Sequence, residues 1–367
     1  MANLFDYLAW RGDLSFTQSP LNPVDFLIFS QMSYLPFDGI VPGPHIKEGV
    51  SMNLALNKLK EKMRVCKSDT DLGFKEDPEL IDALYTSDRF RNCQLHGFIN
   101  KINTEQEYQF SAICIYTGDG SSSVVFRGTD ASLVGWKEDF NMCFMDVVPA
   151  QIEAVNYLEE ISAFLDGSLR TGGHSKGGNL AIYAASFCKK NIQKRITEIF
   201  SYDSPGFNEY VLANEGYLAI KDRIKSYVPQ TSVIGMLFEH GNNLNVIKSS
   251  ETGLMQHSLY SWEIMQTGMI RVDNVTSGSR FIDKTLRDWI GSLDSEEREK
   301  VVESMYTILG ASDVRSIHEL ENSFVQSMGK IIKFMGNIDE HTRKLIKKTF
   351  IEFVRSARRN IDTLMSP

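Results

Sequence analysis

Between residues 105 and 250, apolar residues occur in two different patterns: short continuous runs and positions at helical spacing. Short apolar runs at residues 108–116 and 122–126, separated by the turn Thr117-Gly-Asp-Gly120, predict two strands joined as a hairpin. Apolar side chains at helical spacing over residues 150–165 predict an amphipathic helix. Three further short apolar runs predict strands, at residues 196–202, 224–228 and 244–247. Because strands alternate with helices, we expect a mostly parallel sheet covered on both faces.

The chain before this region has a different pattern. Residues 1–45 mix aromatic and loop residues and predict one helix, at residues 24–34. Residues 42–95 alternate charged and apolar stretches in the manner of helices. We therefore expect residues 1–104 to form a helical and loop segment that packs on a core of residues 105–280.

Strand patterns stop near residue 280, and the remaining chain predicts helices. Asp294-Ser-Glu-Glu297 has the composition of a helix N-terminus, and Ser316-Ile-His-Glu319 matches a capping box. Residues 341–364 predict a helix with basic side chains beside an apolar stripe. Such a helix either rests on an anionic membrane surface or, more commonly, packs its stripe on its own domain. We expect residues 281–367 to form a helical appendage.

Composition narrows the classes of function. Of the 367 residues, 42% are hydrophobic and 23% charged, which is ordinary for a globular protein. A net charge of -8 argues against a nucleic-acid-binding protein, which would present a basic face. The five cysteines have no metal-ligand or disulfide spacing, and no phosphate-binding loop is present, so we expect no cofactor and no metal. Neither a signal peptide nor an apolar stretch of about 20 residues is visible, so we expect a cytoplasmic protein.

The stretch Gly173-His-Ser-Lys-Gly177 carries the candidate chemistry. It fits the G-x-S-x-G pattern, in which a serine lies on a sharp turn between a strand and a helix with its hydroxyl exposed. A short segment at residues 168–171 precedes it, and residues 179–188 are typical of a buried helix. We expect Ser175 to be a nucleophile, and the alternative is a structural turn. His174 is expected to be a packed strand residue that points elsewhere.

A serine nucleophile needs a base and an acid that orients the base. In α/β-hydrolases the histidine comes last in the chain, and His257, just beyond the last predicted strand, is preferred to His240. Asp203 ends the first strand after the elbow helix, at the edge of a parallel sheet where catalytic groups converge. It is our candidate acid, with a turn cap as its alternative role and Glu239 and Asp222 as other candidates.

An oxyanion hole requires two donors. One is the backbone N–H of Lys176, directly after the serine, whose side chain is expected to face out from the helix. The other is expected in Gly128-Thr-Asp130, where Gly128 permits a close backbone approach and Thr129 adds a hydroxyl.

These motifs resemble a known family. Phe126-Arg-Gly-Thr129, with Trp136 and Asp139, and Gly173-His-Ser-Lys-Gly-Gly178 are similar to the Phe-Arg-Gly-Thr and Gly-His-Ser-Leu-Gly-Gly motifs of fungal-type (class 3) lipases. The whole pattern looks like the Mbeg-like group of bacterial α/β-hydrolases, and it also includes Tyr202-Asp-Ser-Pro-Gly-Phe207, Val228-Pro-Gln230 and Gln256-His257.

The resemblance covers about residues 105–265 and implies an α/β-hydrolase fold. It also implies Ser175 as nucleophile, His257 as base, and Thr129 with Lys176 at the oxyanion hole. Class 3 lipases carry their acid after the next strand, where this chain reads Val228-Pro-Gln-Thr-Ser-Val-Ile-Gly235 with no carboxylate. Pancreatic-type lipases keep the acid one strand earlier, at the position of Asp203, so we interpret this acid as relocated.

Together the residues and the resemblance predict a serine hydrolase that cleaves carboxylic esters, with lipid or acyl esters as substrates. Apolar segments at residues 134–136, 142–148 and 233–238 are candidates to line or cover an acyl groove. The alternative is a catalytically inactive hydrolase fold that serves as a binding or scaffold module.

Overall fold

A computed structural model describes residues 1–66, 72–103, 108–130, 133–142, 145–241, 244–294, 296–300, 303 and 340–364. Eight strands form one sheet in sequential order: β1 (Val50–Ser51), β2 (Gln94–Asn103), β3 (Tyr108–Tyr116), β4 (Ser121–Phe126), β5 (Ser168–His174), β6 (Ile196–Tyr202), β7 (Ile224–Pro229) and β8 (Leu244–Ile247). β3 and β4 form an antiparallel hairpin, and each successive pair of strands from β4 to β8 is parallel. A separate antiparallel pair consists of β9 (Ile264–Met265) and β10 (Gly268–Met269).

The helices of the described chain lie between and beyond these strands. They are α1 (Leu4–Arg11), α2 (Pro23–Met32), α3 (Met52–Cys66), α4 (Asp77–Thr86), α5 (Leu133–Asn141), α6 (Pro149–Ser162), α7 (Lys176–Phe187), α8 (Lys190–Gln193), α9 (Glu209–Leu212), α10 (Glu215–Ile220), α11 (Ser277–Gly291) and α12 (Glu340–Arg359). Because helices follow the parallel strands β4, β5 and β6 before the next strand begins, the predicted α/β architecture is confirmed.

The elements predicted from apolar runs are confirmed, and the ten-residue strand β2 was missed, as were the two-residue strands β1, β9 and β10. The hairpin, the strands β6, β7 and β8, and the helices α2 and α6 lie within a few residues of their predicted bounds. β2 has no continuous apolar run, because its second half carries the exposed Asn100 and Lys101. Hydrogen bonds with the neighbouring strands, rather than its own pattern, make this segment a strand.

The N-terminal segment contributes to the main hydrophobic core. In α2, every residue after Pro23 is buried, and the ring of Phe26 stacks on Phe200 of β6 at 4.7 Å between centroids. A Cβ on Gly172 of β5 would lie 2.6 Å from the Phe26 ring, so the helix and the sheet are in close contact. A buried salt bridge between Arg89 and Asp25, at 2.6 Å, joins this helix to the chain just before β2.

The chain divides into two compact units. The first contains Met1–Lys101, Phe110–Gly128 and Ala150–Val275, and the second contains Ile102–Gln109, Thr129–Pro149 and Thr276–Pro367. The domain boundaries at residues 104 and 280 therefore stay predictions.

In the second unit, the apolar side of α12 packs on α11. Trp289 meets Phe353 edge-on at 5.4 Å between ring centroids, and its Nε1 donates to the carbonyl of Thr349 at 2.9 Å. This contact favours packing of the basic helix on its own domain over binding to an anionic membrane surface. The predicted cap is present, because Asp294 Oδ1 accepts from the Glu297 N–H at 2.8 Å. The predicted helix after Ser316 lies outside the described residues.

Candidate active site

Ser175 lies on a strained turn between β5 and α7. Its backbone angles, φ 57° and ψ −134°, fall where residues other than glycine rarely occur, at a cost on the order of 1–3 kcal/mol. Two backbone hydrogen bonds hold this conformation: Ser175 N–H donates to the Tyr202 carbonyl at 2.9 Å, and Gly178 N–H donates to the Ser175 carbonyl at 3.1 Å. The strand, turn and helix predicted from the G-x-S-x-G pattern are therefore present.

The glycines around Ser175 allow the elbow to pack against β4 and β6. A Cβ on Gly173 or Gly177 would lie 2.2 or 2.1 Å from the carbonyl oxygen of Phe126. A Cβ on Gly178 would lie 2.0 Å from Ser204 Oγ. These distances leave no room for a methyl group, so glycine is required at each position for steric reasons.

Asp203 follows β6 directly and contacts His257. The two side chains join through Asp203 Oδ2 and His257 Nδ1 at 2.7 Å. The other carboxylate oxygen, Oδ1, accepts from Ser232 Oγ at 2.5 Å and from the Gly235 N–H at 3.1 Å. Asp203 is buried, and its backbone is in the left-handed region, with φ 47°. The N–H of Asp203 stabilises this conformation by donating to the carbonyl of Tyr227. Both oxygens are therefore fixed before any ligand binds.

Ser232 and Gly235 lie in the segment after β7, which class 3 lipases use to carry the acid itself. In this chain the same segment supplies two donors to an acid that comes from the preceding strand. The sequence contained no signal for these two contacts, because serine and glycine are common in loops.

His257 ends a short 3₁₀ turn, Gly253–His257, and its side chain is 29% exposed while that of Asp203 is 2% exposed. The neighbouring Gln256 anchors this turn. Its Oε1 accepts from the Thr231 N–H at 2.8 Å, and its carbonyl accepts from Trp262 Nε1 at 2.9 Å. The base candidate is therefore fixed through its neighbour while its side chain stays partly exposed.

The other candidates do not share this arrangement. His240 hydrogen-bonds to the backbone of Gly235 and lies close enough to Asp203 for the carboxylate to act on it, but burial lowers the pKa of His240, and among the described residues its Nε2 has no hydrogen-bond partner. Asp222 precedes β7, so it lies at the opposite edge of the sheet from Asp203. Glu239 is exposed, and its backbone pairs with Phe207. His257 is the histidine whose ring hydrogen-bonds to the Asp203 carboxylate.

His174 was expected to point elsewhere, and this expectation is wrong. The side chain is buried, as predicted for a strand residue, but its ring lies 4.3 Å from that of His257. Its Nε2 lies 2.8 Å from the His257 carbonyl oxygen, and its Nδ1 lies 2.9 Å from the Tyr34 hydroxyl. Burial, and then the neighbouring His257, lower the pKa of His174 well below its usual value. Sequence reasoning missed Tyr34, for which no local signal exists.

The two oxyanion candidates have different surroundings. Lys176 begins α7, and its side chain is buried rather than facing outward, so that expectation is also wrong. Gly128 makes the close approach that the sequence predicted, since a Cβ there would lie 3.0 Å from Ser175 Cβ. Thr129 follows Gly128 and belongs to the second unit, where its hydroxyl donates to Asp139 at 2.6 Å. Its hydroxyl proton is thus engaged, which leaves its backbone N–H as the candidate donor.

Two further features bear on cofactors and membranes. Within the described part of the chain, no three His, Cys, Asp or Glu side chains lie close enough together to hold a metal ion. No helix among the described residues is both long enough and apolar enough to cross a bilayer.

The strands from β4 to β8 run parallel, and a serine lies on the sharp turn between β5 and the following helix. Together these two features define an α/β-hydrolase fold. The chain belongs to the Mbeg1-like family, whose model matches residues 84–307, more than half of its length.

Among solved structures the chain is similar to several lipases. A Rhizomucor miehei lipase–propeptide complex is 16% identical, with a TM-score of 0.33, over 46% of this chain and 58% of that one. M37 lipase is 16% identical, with a TM-score of 0.36, over 58% of this chain and 69% of that one. A fungal lipase–inhibitor complex is 17% identical, with a TM-score of 0.30, over 46% of this chain and 69% of that one. The comparison with curated proteins gave no match.

Proposed function

We propose that this protein is a serine hydrolase that cleaves carboxylic esters through an acyl-enzyme. The observation that supports this most strongly is the 2.7 Å contact between His257 Nδ1 and Asp203 Oδ2, beside a serine held on a strained elbow. The carboxylate of Asp203 is buried. One of its oxygens accepts hydrogen bonds from Ser232 and Gly235, and the other pairs with His257. A buried carboxylate in this position keeps the imidazole proton on Nδ1 and leaves Nε2 free to act as a base.

The reaction would proceed in two halves. Ser175 Oγ attacks the ester carbonyl while His257 Nε2 takes its proton, and Asp203 stabilises the imidazolium that forms. The backbone N–H of Lys176, directly after the nucleophile, would donate to the oxyanion. His257 then protonates the leaving alcohol, and a water molecule activated by the same nitrogen releases the acid from Ser175.

We propose an apolar acyl group for the substrate. In the turn that carries His257, Leu254 and Met255 are 53% and 45% exposed. The segment of residues 233–238, which donates to Asp203 through Gly235, carries half-buried apolar side chains. Apolar surface in both of the segments that contact Asp203 suits a lipid or acyl ester better than a polar one. The candidate segments at residues 134–136 and 142–148 include side chains outside the described residues.

Fluorophosphonate labelling tests this proposal directly. The unmodified protein should be labelled, and Ser175→Ala should lose both labelling and hydrolysis of p-nitrophenyl esters, by roughly 10⁴-fold or more. Ser186→Ala is the matched control, since Ser186 lies on the same helix with its hydroxyl donating to Ile182 within the helix. It should be labelled like the unmodified protein.

Ester chain length tests the substrate class. Rates should rise with acyl-chain length from acetate to medium-chain esters if the apolar side chains contact the substrate. If the unmodified protein neither labels nor hydrolyses any ester, the inactive binding or scaffold module is the correct alternative.

A further inference from the structure

Tyr34, His174 and His257 form a chain of contacts beside the candidate nucleophile. The Tyr34 hydroxyl lies 2.9 Å from His174 Nδ1, and His174 Nε2 lies 2.8 Å from the carbonyl oxygen of His257. The two imidazole rings lie 4.3 Å apart at an angle of 39°. The position that a Cβ on Gly128 would occupy is 2.2 Å from the Tyr34 hydroxyl and 3.0 Å from Ser175 Cβ. This chain therefore reaches from the N-terminal segment to the elbow.

Hydrogen-bond chemistry determines the proton positions in this chain. A carbonyl oxygen can only accept, so His174 Nε2 must carry a proton and donate it to His257. Burial holds the pKa of His174 well below its usual range, so the ring is neutral and its Nδ1 is an acceptor. Tyr34 must then donate to Nδ1. The carbonyl of His257 thereby sets the tautomer of His174, and the Tyr34 hydroxyl satisfies the remaining ring nitrogen.

The structure also fixes Tyr34 in place. The residue follows α2, which is buried along its length after Pro23, and its ring meets Phe74 edge-on at 5.5 Å between centroids. Phe74 packs in turn on Tyr260, three residues beyond His257, at 5.9 Å. The hydroxyl is thus presented by packed aromatic rings rather than by a free loop.

We propose that Tyr34 and His174 are a positioning pair that orients His257 toward Asp203 and Ser175, a role that rests on the proposed hydrolase function. The bond to the His257 carbonyl fixes the backbone from which the base extends. The neutral ring of His174 packs beside the base without adding a positive charge next to the imidazolium that forms during proton transfer. In this role both residues act through the position of His257, so their effect should appear in kcat rather than in substrate binding.

Histidine substitutions test the pair by kinetics. His174→Leu removes both bonds and should lower kcat about 10- to 100-fold, with KM changed by less than about threefold. His174→Gln is the rescue variant, because its amide offers a donor near Nε2 and an acceptor for Tyr34, and it should recover most of the loss. Tyr34→Phe should show an intermediate loss. Tyr157→Phe is the matched control, since that buried hydroxyl makes one bond of 2.8 Å, to Gly97, away from the site.

Nitrogen NMR of the histidine side chains gives a readout that does not depend on turnover. His174 should appear as the neutral Nε2–H tautomer throughout the range in which an ordinary histidine becomes protonated. In Tyr34→Phe the Nε2–H form should persist, because the His257 carbonyl still requires a donor, and the Nδ1 resonance should shift because Nδ1 loses its hydrogen bond. A His174 found in the Nδ1–H form in the unmodified protein would overturn the proposal.

The two proposals fail in different ways. Equal losses in His174→Leu and His174→Gln, or no loss in either, would overturn the positioning role while the hydrolase function stood. An unmodified protein that hydrolyses no ester would overturn the function and, with it, this role.

Discussion

Replacing Asp203 with asparagine changes one group in a side chain that His257, Ser232 and Gly235 all contact. Asp203 Oδ1 accepts from the Gly235 N–H at 3.1 Å and from Ser232 Oγ at 2.5 Å. A backbone N–H can only donate, so the oxygen of the asparagine amide must stay on this side. Its NH₂ group then faces His257 Nδ1, where the carboxylate oxygen lay at 2.7 Å.

The consequence for His257 is a change of tautomer. With an NH₂ group facing it, Nδ1 must accept, so the imidazole proton moves to Nε2, which can no longer take a proton from Ser175. The equivalent substitution in a serine protease triad lowers kcat by about 10⁴-fold, which is about 5 kcal/mol of transition-state stabilisation. Losing only a hydrogen bond to a charged group would cost about 1.5–3 kcal/mol, or roughly 10- to 150-fold. The size of the loss therefore separates the two causes.

The assay is kcat on the best p-nitrophenyl ester for the unmodified protein, Asp203→Asn and Ser232→Ala, with circular dichroism to check the fold. We expect a loss above about 10³-fold for Asp203→Asn. Ser232→Ala removes one donor but leaves the carboxylate, and should lose no more than roughly 150-fold. A loss below about tenfold in Asp203→Asn, with the fold intact, would refute the role assigned to Asp203.

Other buried contacts lead to measurable effects on stability. Gly177→Ala puts a methyl carbon 2.1 Å from the last carbonyl oxygen of β4 and should lower the free energy of unfolding in urea by about 3 kcal/mol or more. Gly268→Ala is the control and should leave this free energy nearly unchanged, because no described atom lies within 4 Å of the new carbon. Arg89→Leu leaves the Asp25 carboxylate buried without its cation and should cost about 3–5 kcal/mol, so a loss under about 1 kcal/mol would contradict the pairing. Because burial lowers the pKa of His174 below 6.5, the unfolded chain binds a proton that the folded chain does not. Its contribution to the free energy of unfolding should fall as the pH drops below about 6.5, by up to about 1.4 kcal/mol per pH unit, and His174→Gln should reduce this slope.

Local patterns in the sequence were sufficient for the elbow and for most of the sheet. The glycines around Ser175 are required by contacts within the strand, turn and helix unit itself, so the G-x-S-x-G pattern predicts this geometry directly. Strands such as β6 and β8 appear as short apolar runs because both faces of a parallel sheet are covered. Chain order was also informative, since it placed Asp203 at a strand end and His257 beyond the last strand.

Local patterns failed where a segment takes its structure from its neighbours. β2 was missed because its exposed second half is polar. Lys176 was expected to face outward because lysine is rarely buried, yet its side chain lies in the interior at the start of α7. In both cases the neighbouring residues in the chain favour an exposed position or a loop, while packing against other elements produces a buried side chain or a strand.

By itself, the sequence determined the class of fold, the position of Ser175 and the candidates for base and acid, because these depend on residues that are close together in the chain. Only the tertiary structure decided how the candidates are held. The Tyr34 hydroxyl bonds to a histidine 140 residues away, and Ser232 bonds to an acid 29 residues away. Periodicity and motif spacing describe what a residue does within its own element. Contacts across such distances depend on how the elements pack, and no local pattern records them.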